Sequence, residues 1–128
     1  MKRLSLLLLL VAVAGACAPA APRSVTIEIH YSHYSMSQID VPAGVPITFT
    51  IKNDDPIDHE WMIGDLAMHE RHRLGTEAVH ASRPDEVTIP ALSSRTTTLT
   101  FATPMTLMYM CHLPGHEQYG MVGMLVAK

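Results

Sequence analysis

A short segment near the C-terminus carries three side chains that can bind a soft metal ion. Cys111, His116 and Met121 follow one another at equal intervals along the chain. Copper accepts imidazole ligands, and thiolate and thioether sulfur favour copper(I) in particular. Pro114 and Gly115 form a turn signal between the cysteine and the histidine, because Pro presets φ and Gly allows positive φ. The turn predicts that the thiol and the imidazole face one ion.

One further histidine would complete a known type of mononuclear copper site. Two histidines and a cysteine, with a weak methionine ligand on the axis, form the blue-copper electron-transfer site. His59 lies far upstream, at the start of an apolar segment, and is the leading candidate for the missing ligand. We therefore predict copper bound by His59, Cys111, His116 and Met121. The alternative is a buried cysteine on a strand that is followed by a surface hairpin.

The first residues of the chain have the pattern of a secretory signal. A basic start precedes an apolar run over residues 4–16, which is short for a membrane span. Small residues then precede Cys17, as in a bacterial lipobox, so we predict a lipid anchor on Cys17. Ordinary cleavage after Ala16 or Ala18 is the alternative. The predicted organisation is a signal at residues 1–16, a tether at 17–23 and one domain at 24–128.

The two cysteines and the net charge limit the possible partners. With Cys17 acylated, Cys111 would be the lone thiol of the mature chain, and metal ligation would occupy it in an oxidising compartment. A disulfide between the two cysteines is the alternative. Removal of residues 1–16 leaves 7 basic and 12 acidic residues. That acidic balance disfavours nucleic acid and suits redox partner proteins with basic patches. We expect a monomer.

Alternation of apolar and polar residues predicts an all-β domain. Many short strands with regular turns are typical of an antiparallel sandwich. A short helix is predicted between Asp65 and Leu74, and Gly75 would end it. The predicted strands are 24–31, 39–41, 46–52, 59–63, 87–89, 95–101, 106–111 and 121–127.

The chain resembles the cupredoxins, the small blue-copper proteins, over nearly all of its predicted mature length. The resemblance lies in the strand at residues 25–30, the motif at 41–49, the segment 53–59 and the C-terminal loop with Pro114-Gly115-His116. It implies a Greek-key β-sandwich with the metal at one end and one-electron transfer as the usual role. By position, His59 would be the first histidine, Cys111 the thiolate, His116 the second histidine and Met121 the axial ligand.

Two departures from that family pattern stand near the predicted site. Glu60 replaces the asparagine that follows the first histidine in azurins and plastocyanins and ties the ligand loops together. The sequence therefore does not decide whether this inter-loop hydrogen bond forms. An acidic side chain near copper would lower the reduction potential of the metal. The second departure is an insertion-like stretch at residues 65–83. His112, next to the thiolate, is expected to point to the opposite side of its strand.

The remaining histidines allow two interpretations. They are polar surface or loop-packing residues, or they form a second, looser copper or zinc site. His69 and His72 would share a helix face, and the loop residue His80 could complete a site with them. The pair His30 and His33 near a strand end has an awkward spacing for one ion.

The complete ligand set favours a one-electron carrier outside the cytoplasm over an enzyme, because no coordination position is open to a substrate. A copper-binding protein for resistance, storage or delivery is the alternative, motivated by the surplus of His and Met. A non-redox sandwich domain that binds a partner is the third possibility.

Overall fold

A computed structural model describes residues 23–76 and 83–128 of the chain. The predicted signal, Cys17 and His80 lie outside the described residues, so the proposed lipid anchor and domain boundaries remain predictions. Within the described residues, no helix is long and apolar enough to cross a membrane.

The described residues form strands and one short helix, close to the elements that the sequence predicts. The two-residue strand β2 was not predicted, because a pair of residues has no periodicity to detect. The elements are β1 Arg23–His30, β2 His33–Tyr34, β3 Gln38–Val41, β4 Pro46–Asn53, β5 His59–Gly64, α1 Leu66–Arg73, β6 Glu86–Ile89, β7 Ser94–Thr100, β8 Met105–Met110 and β9 Val122–Ala127.

The strands form two sheets, in the orders β2-β1-β4-β7 and β3-β9-β8-β5-β6. The predicted β-sandwich with one short helix is confirmed. The sheets are mixed rather than wholly antiparallel, because β1 pairs with β4 and β3 with β9 in parallel. In each case the chain forms a strand of the other sheet before it returns to pair with the first strand. The alternation of apolar and polar residues within a strand does not reveal this path.

The core lies between the two sheets and follows from the period of two along the strands. Ile27 is paired with Ile51 in parallel register, and both side chains are fully buried. Phe49 packs against Trp61 of the opposite sheet with ring centroids 5.1 Å apart. Each such side chain contributes about 1.5–3 kcal/mol when it is buried. This core fixes the end of the sandwich at which the predicted ligands meet.

Helix α1 covers the outer face of β5. Asp65 caps it by accepting a hydrogen bond from the backbone N–H of Met68 at 2.7 Å. The helix ends at Arg73, before Leu74 and Gly75, and Gly75 takes a φ of +63°. The predicted helix and its terminating glycine are confirmed. Because the core covers one face of β5 and the helix lies over the other, all six residues of that strand are buried.

Candidate metal centre

Three of the four predicted ligands bring their donor atoms together at one end of the sandwich. Nδ1 of His116 lies 3.2 Å from Nδ1 of His59 and 3.2 Å from Sγ of Cys111. One donor atom from each of the three side chains lies within 4.8 Å of the other two. His59 and Cys111 are fully buried, whereas His116 is partly exposed. One thiol and two imidazoles are a donor set that suits copper.

The ring of His59 is oriented by a buried carboxylate. Oδ2 of Asp55 lies 2.9 Å from Nε2 of His59. The carboxylate also accepts hydrogen bonds from the backbone N–H groups of Tyr31 and Ser32, each at 2.7 Å. Burial alone would raise the pKa of Asp55, but these hydrogen bonds and the His59 contact outweigh it and lower the pKa. An ionised carboxylate only accepts, so Nε2 of His59 carries the proton and Nδ1 presents a lone pair to the other donors.

The loop that leads into His59 is anchored by Asn53, the last residue of β4. Its side-chain amide donates to the carbonyl oxygens of Ile57, Ile89 and Pro90 at 2.8, 3.2 and 3.0 Å. Its Oδ1 accepts from the N–H of Asp55 at 2.9 Å. This segment is part of the family resemblance, but Asp55 was not predicted as a partner of His59. The four-residue separation of Asp55 and His59 does not reveal such a contact in an irregular loop.

Cys111 receives its hydrogen bonds from two backbone groups. The N–H of Glu60 lies 3.3 Å from Sγ, and the N–H of Leu113 also donates to the sulfur. Burial raises the pKa of the Cys111 thiol, and these two donors only partly oppose that shift. A bound cation would favour the thiolate, which is the form that ligates metals.

The segment from Cys111 to Met121 closes on itself, as its turn signal predicts. Gly115 adopts a φ of +86° within the turn. The N–H of Cys111 donates to the carbonyl of Met121, and the N–H of Met121 donates to the carbonyl of His116, both at 3.1 Å. Met121 is fully buried. The loop therefore returns the methionine beside the cysteine, and the binding of copper by the four residues remains a prediction.

The imidazole of His116 forms the outer side of this group. Burial and the neighbouring His59 ring lower the pKa of His116. A histidine must be neutral to bind a metal, so this shift favours ligation near neutral pH. A shallow pocket opens over the ring and is lined by Tyr31, Ser32, Pro114, Gly115 and Tyr119.

Glu60 connects the loop that carries His59 with the loop that carries Cys111, a connection that the sequence did not decide. Its backbone N–H donates to the Cys111 sulfur, and its side-chain Oε2 accepts from the N–H of His112 at 3.2 Å. The side chain is only 5% exposed. The two ligand loops are therefore tied together with glutamate at this position.

Helix α1 brings further histidines to the opposite side of the Cys111 segment. Nδ1 of His69 lies 2.9 Å from Nε2 of His112. The rings of His72 and His112 have centroids 4.9 Å apart. His69 and His72 thus lie near each other as predicted, but the donor group on this side of the chain consists of His72, Glu60 and Glu86. The two glutamates of this group carry no sequence signal that points to it, because they lie on separate strands.

His30 and His33, which the sequence left open as members of a second site, lie elsewhere. His30 and His33 are exposed and paired across β1 and β2. Nδ1 of His33 lies 2.7 Å from the carbonyl oxygen of Tyr31. Among the described residues, no group of metal-binding donors includes either histidine.

Sequence comparison places the chain in a family. The family model described as a cupredoxin-like domain matches residues 3–94, which is more than half of the chain. The chain therefore belongs to the cupredoxin-like family, whose members bind copper. The matched region includes His59 and ends before Cys111, His116 and Met121, so it does not cover the C-terminal loop.

Two curated proteins are similar over much of the chain, and both are named copper-resistant cuproprotein CopI. The one from Pseudomonas aeruginosa is 27% identical over 143 aligned residues, covering 87% of this chain and 79% of that protein. The one from Rubrivivax gelatinosus is 28% identical over 99 residues, covering 74% of this chain but only 59% of that protein. These names describe the relatives.

Solved structures show the same fold. The dithionite-reduced auracyanin from the photosynthetic bacterium Roseiflexus castenholzii superposes with a TM-score of 0.69 and 23% identity. The match covers 84% of this chain and 98% of that protein. Auracyanin A from Chloroflexus aurantiacus, described as a blue copper protein, has a TM-score of 0.65 and 22% identity, covering 84% of this chain and 99% of that one. At these identities the likeness establishes the fold alone.

Proposed function

We propose that this chain binds a single type 1 copper ion through His59, Cys111, His116 and Met121 and carries single electrons outside the cytoplasm. The observation that carries the proposal is the convergence of donor atoms from His59, Cys111 and His116 within 4.8 Å, with Nδ1 of His116 at 3.2 Å from both Nδ1 of His59 and Sγ of Cys111. When bound, copper would supply a one-electron couple between its two common oxidation states.

The surrounding residues suit a centre that changes little between two oxidation states. Asp55 holds the His59 ring, Asn53 holds the loop before it, and the N–H of Glu60 fixes the Cys111 sulfur. Because rigid strands and hydrogen-bonded loops position the donors, little reorganisation would accompany electron transfer. With three donors gathered, and with Met121 buried and hydrogen-bonded through its backbone to Cys111, we infer no open coordination position for a substrate. The chain is therefore proposed to be an electron carrier and not an enzyme.

The exposed edge of the site offers a route for electrons. His116 is the proposed ligand that reaches the surface, and Tyr31 and Tyr119 beside it are 78% and 72% exposed. We propose that redox partner proteins dock over this face. The predicted signal and the proposed lipid on Cys17 would hold the chain in the periplasm or on the outer face of the cell membrane.

A second candidate function is copper resistance, storage or delivery. Both curated relatives carry names that state copper resistance, and the identity to one of them extends over 87% of this chain. The same proposed copper site would serve this role, since a resistance protein must also capture the ion.

The spectrum of the copper-loaded protein tests the copper site. An intense thiolate-to-copper band in the visible and a narrow copper hyperfine splitting are expected from wild type. Cys111→Ser should abolish both, whereas the control His30→Gln, at an exposed position, should keep them. Colour that persists in Cys111→Ser would refute the assignment.

Growth of a strain that lacks the gene separates the two roles. Loss of copper tolerance, restored by wild type but not by Cys111→Ser, would favour resistance. Unchanged tolerance with slowed electron transfer in membrane or periplasmic fractions would favour the carrier.

A further inference from the structure

A second group of metal-binding side chains lies beneath helix α1. Donor atoms of Glu60, His72 and Glu86 all lie within 4.8 Å of one another. Nε2 of His72 is 3.2 Å from Oε2 of Glu60, and Nδ1 of His72 is 3.9 Å from Oε1 of Glu86. The three side chains are 6%, 5% and 0% exposed, for His72, Glu60 and Glu86 in that order. We call these three residues the Glu-His-Glu cluster.

The fold assembles this cluster from three elements. Strands β5 and β6 are antiparallel, with Glu60 opposite Thr88 and Met62 opposite Glu86. Glu60 and Glu86 are therefore diagonal neighbours on the same face of the sheet. Helix α1 lies over that face and supplies His72 from its last turn. The position of each donor is fixed by regular secondary structure, as in a preorganised site.

The composition of the cluster fits a divalent cation. The donor atoms of two buried carboxylates and one imidazole lie close enough together for one ion to contact all three. Two carboxylate oxygens and one imidazole nitrogen are ligands that zinc(II) and copper(II) both accept. We propose that the Glu-His-Glu cluster is a second metal site that binds a divalent ion of the zinc or copper(II) type.

The second site would be joined to the first by very short chain segments. Glu60 follows His59 in sequence, and its N–H donates to the Cys111 sulfur at 3.3 Å. His112 follows Cys111, and its N–H donates to Oε2 of Glu60 at 3.2 Å. A cation on the Glu60 carboxylate would therefore change the field at the thiolate. This coupling, and only this part of the inference, rests on the proposed function.

Metal counting on the full chain tests the second site. Protein loaded with one equivalent of copper is titrated with zinc chloride, and bound zinc is counted after gel filtration. Copper binds N and S ligands more tightly than zinc, so zinc should not displace it. We expect one additional zinc ion per chain and a small shift of the visible band.

Variants locate that ion. Glu86→Gln and His72→Gln should each weaken zinc binding at least tenfold and keep the visible band. Glu70→Gln, at an exposed position of the same helix, is the matched control and should bind zinc like wild type. Far-ultraviolet circular dichroism checks folding, and His72→Gln decides the result if Glu86→Gln does not fold.

Two outcomes would overturn the proposal. They are no additional zinc in wild type, or equal zinc affinity in wild type and in a folded cluster variant. The cluster would then be a His72 side chain paired with two carboxylates. Failure of the first site is distinguishable, because Cys111→Ser would lack the visible band and still bind zinc in a Glu86-dependent way.

Discussion

Oδ2 of Asp55 lies 2.9 Å from Nε2 of His59, and both residues are almost completely buried. The same carboxylate accepts the N–H groups of Tyr31 and Ser32, two non-glycine residues with φ values of +51° and +54°. Such backbone conformations are costly and persist only where the surroundings hold them. One side chain therefore stabilises the β1–β2 turn and orients a proposed metal ligand.

Replacement of that carboxylate should weaken metal binding. In Asp55→Asn the ring of His59 loses its charged partner, and an amide can present its N–H group to Nε2 and so favour the wrong tautomer. We expect copper affinity to fall about 10–100-fold, the usual effect of losing such a supporting partner. Competition titration with a copper chelator measures it. Asp54→Asn is the control, because Asp54 is exposed and its carboxylate pairs with Lys52. Equal affinities in the two variants would contradict the role of Asp55.

The metal-free protein should lose stability in mild acid. Burial, with the neighbouring His69 and His72, lowers the pKa of His112 from 6.5 to about 4, and burial also lowers the pKa of His69. Below pH 6.5 the unfolded chain takes up protons that the folded chain does not. This stabilisation is therefore complete above that pH and is lost as the pH falls towards 4. His112 alone should account for about 2 kcal/mol of unfolding free energy between pH 6.5 and pH 4.5.

Urea unfolding of the metal-free chain at several pH values between 7.5 and 4.5 measures this loss. His112→Gln should flatten the pH dependence, whatever its effect on absolute stability. His30→Gln should leave the slope unchanged, since His30 is exposed and lies outside the group formed by His69, His72 and His112. A wild-type slope retained in His112→Gln would show that other groups cause the acid sensitivity.

Met121 should affect the midpoint potential of the bound copper but not the presence of the visible band. Met121→Leu keeps the thiolate and both imidazoles, so the visible band should persist. Loss of a weak donor disfavours the more highly charged copper(II), so the midpoint potential should rise. Voltammetry of the copper-loaded protein measures it. Met124→Leu is the matched control, because Met124 is 37% exposed and Met121 is fully buried. Equal potentials in the two variants would mean that Met121 does not contact the ion.

Gly123 leaves the space that the ring of Tyr109, its partner on the neighbouring strand, occupies. A Cβ at this position would lie 2.1 Å from Cζ of Tyr109, whose ring is fully buried and whose hydroxyl donates to the carbonyl of Met36. Gly123→Ala should therefore cost about 1–3 kcal/mol or more of unfolding free energy, as overpacking does.

Gly44→Ala provides the comparison, because the added Cβ meets nothing within 4 Å and only the φ of +77° opposes it. Its expected cost is about 1–2 kcal/mol, the penalty of the left-handed backbone for a residue with a side chain. Urea midpoints of both variants test the difference. A Gly123→Ala protein as stable as wild type would contradict the close packing of Tyr109.

The sequence alone determined the features that depend on neighbouring residues. Alternation located most of the strands, Asp65 and Gly75 bounded the helix, and Pro114-Gly115 marked the turn that brings Cys111 and His116 together. Such patterns are readable because pleat, cap and turn geometry act over a few residues.

Only the tertiary structure decided which distant groups meet. The parallel pairing of β1 with β4, the hydrogen bonds of Asp55 to Tyr31 and Ser32, and the Glu-His-Glu cluster all join segments whose proximity is set by the path of the chain between the sheets. Glu60 shows the difference most clearly. In the sequence, Glu60 is recognisable only as the replacement of an asparagine. In the structure, its backbone N–H donates to the Cys111 sulfur of one candidate metal site, and its buried carboxylate belongs to the other. Long-range contacts of this kind follow from packing, which leaves no periodic trace in the sequence.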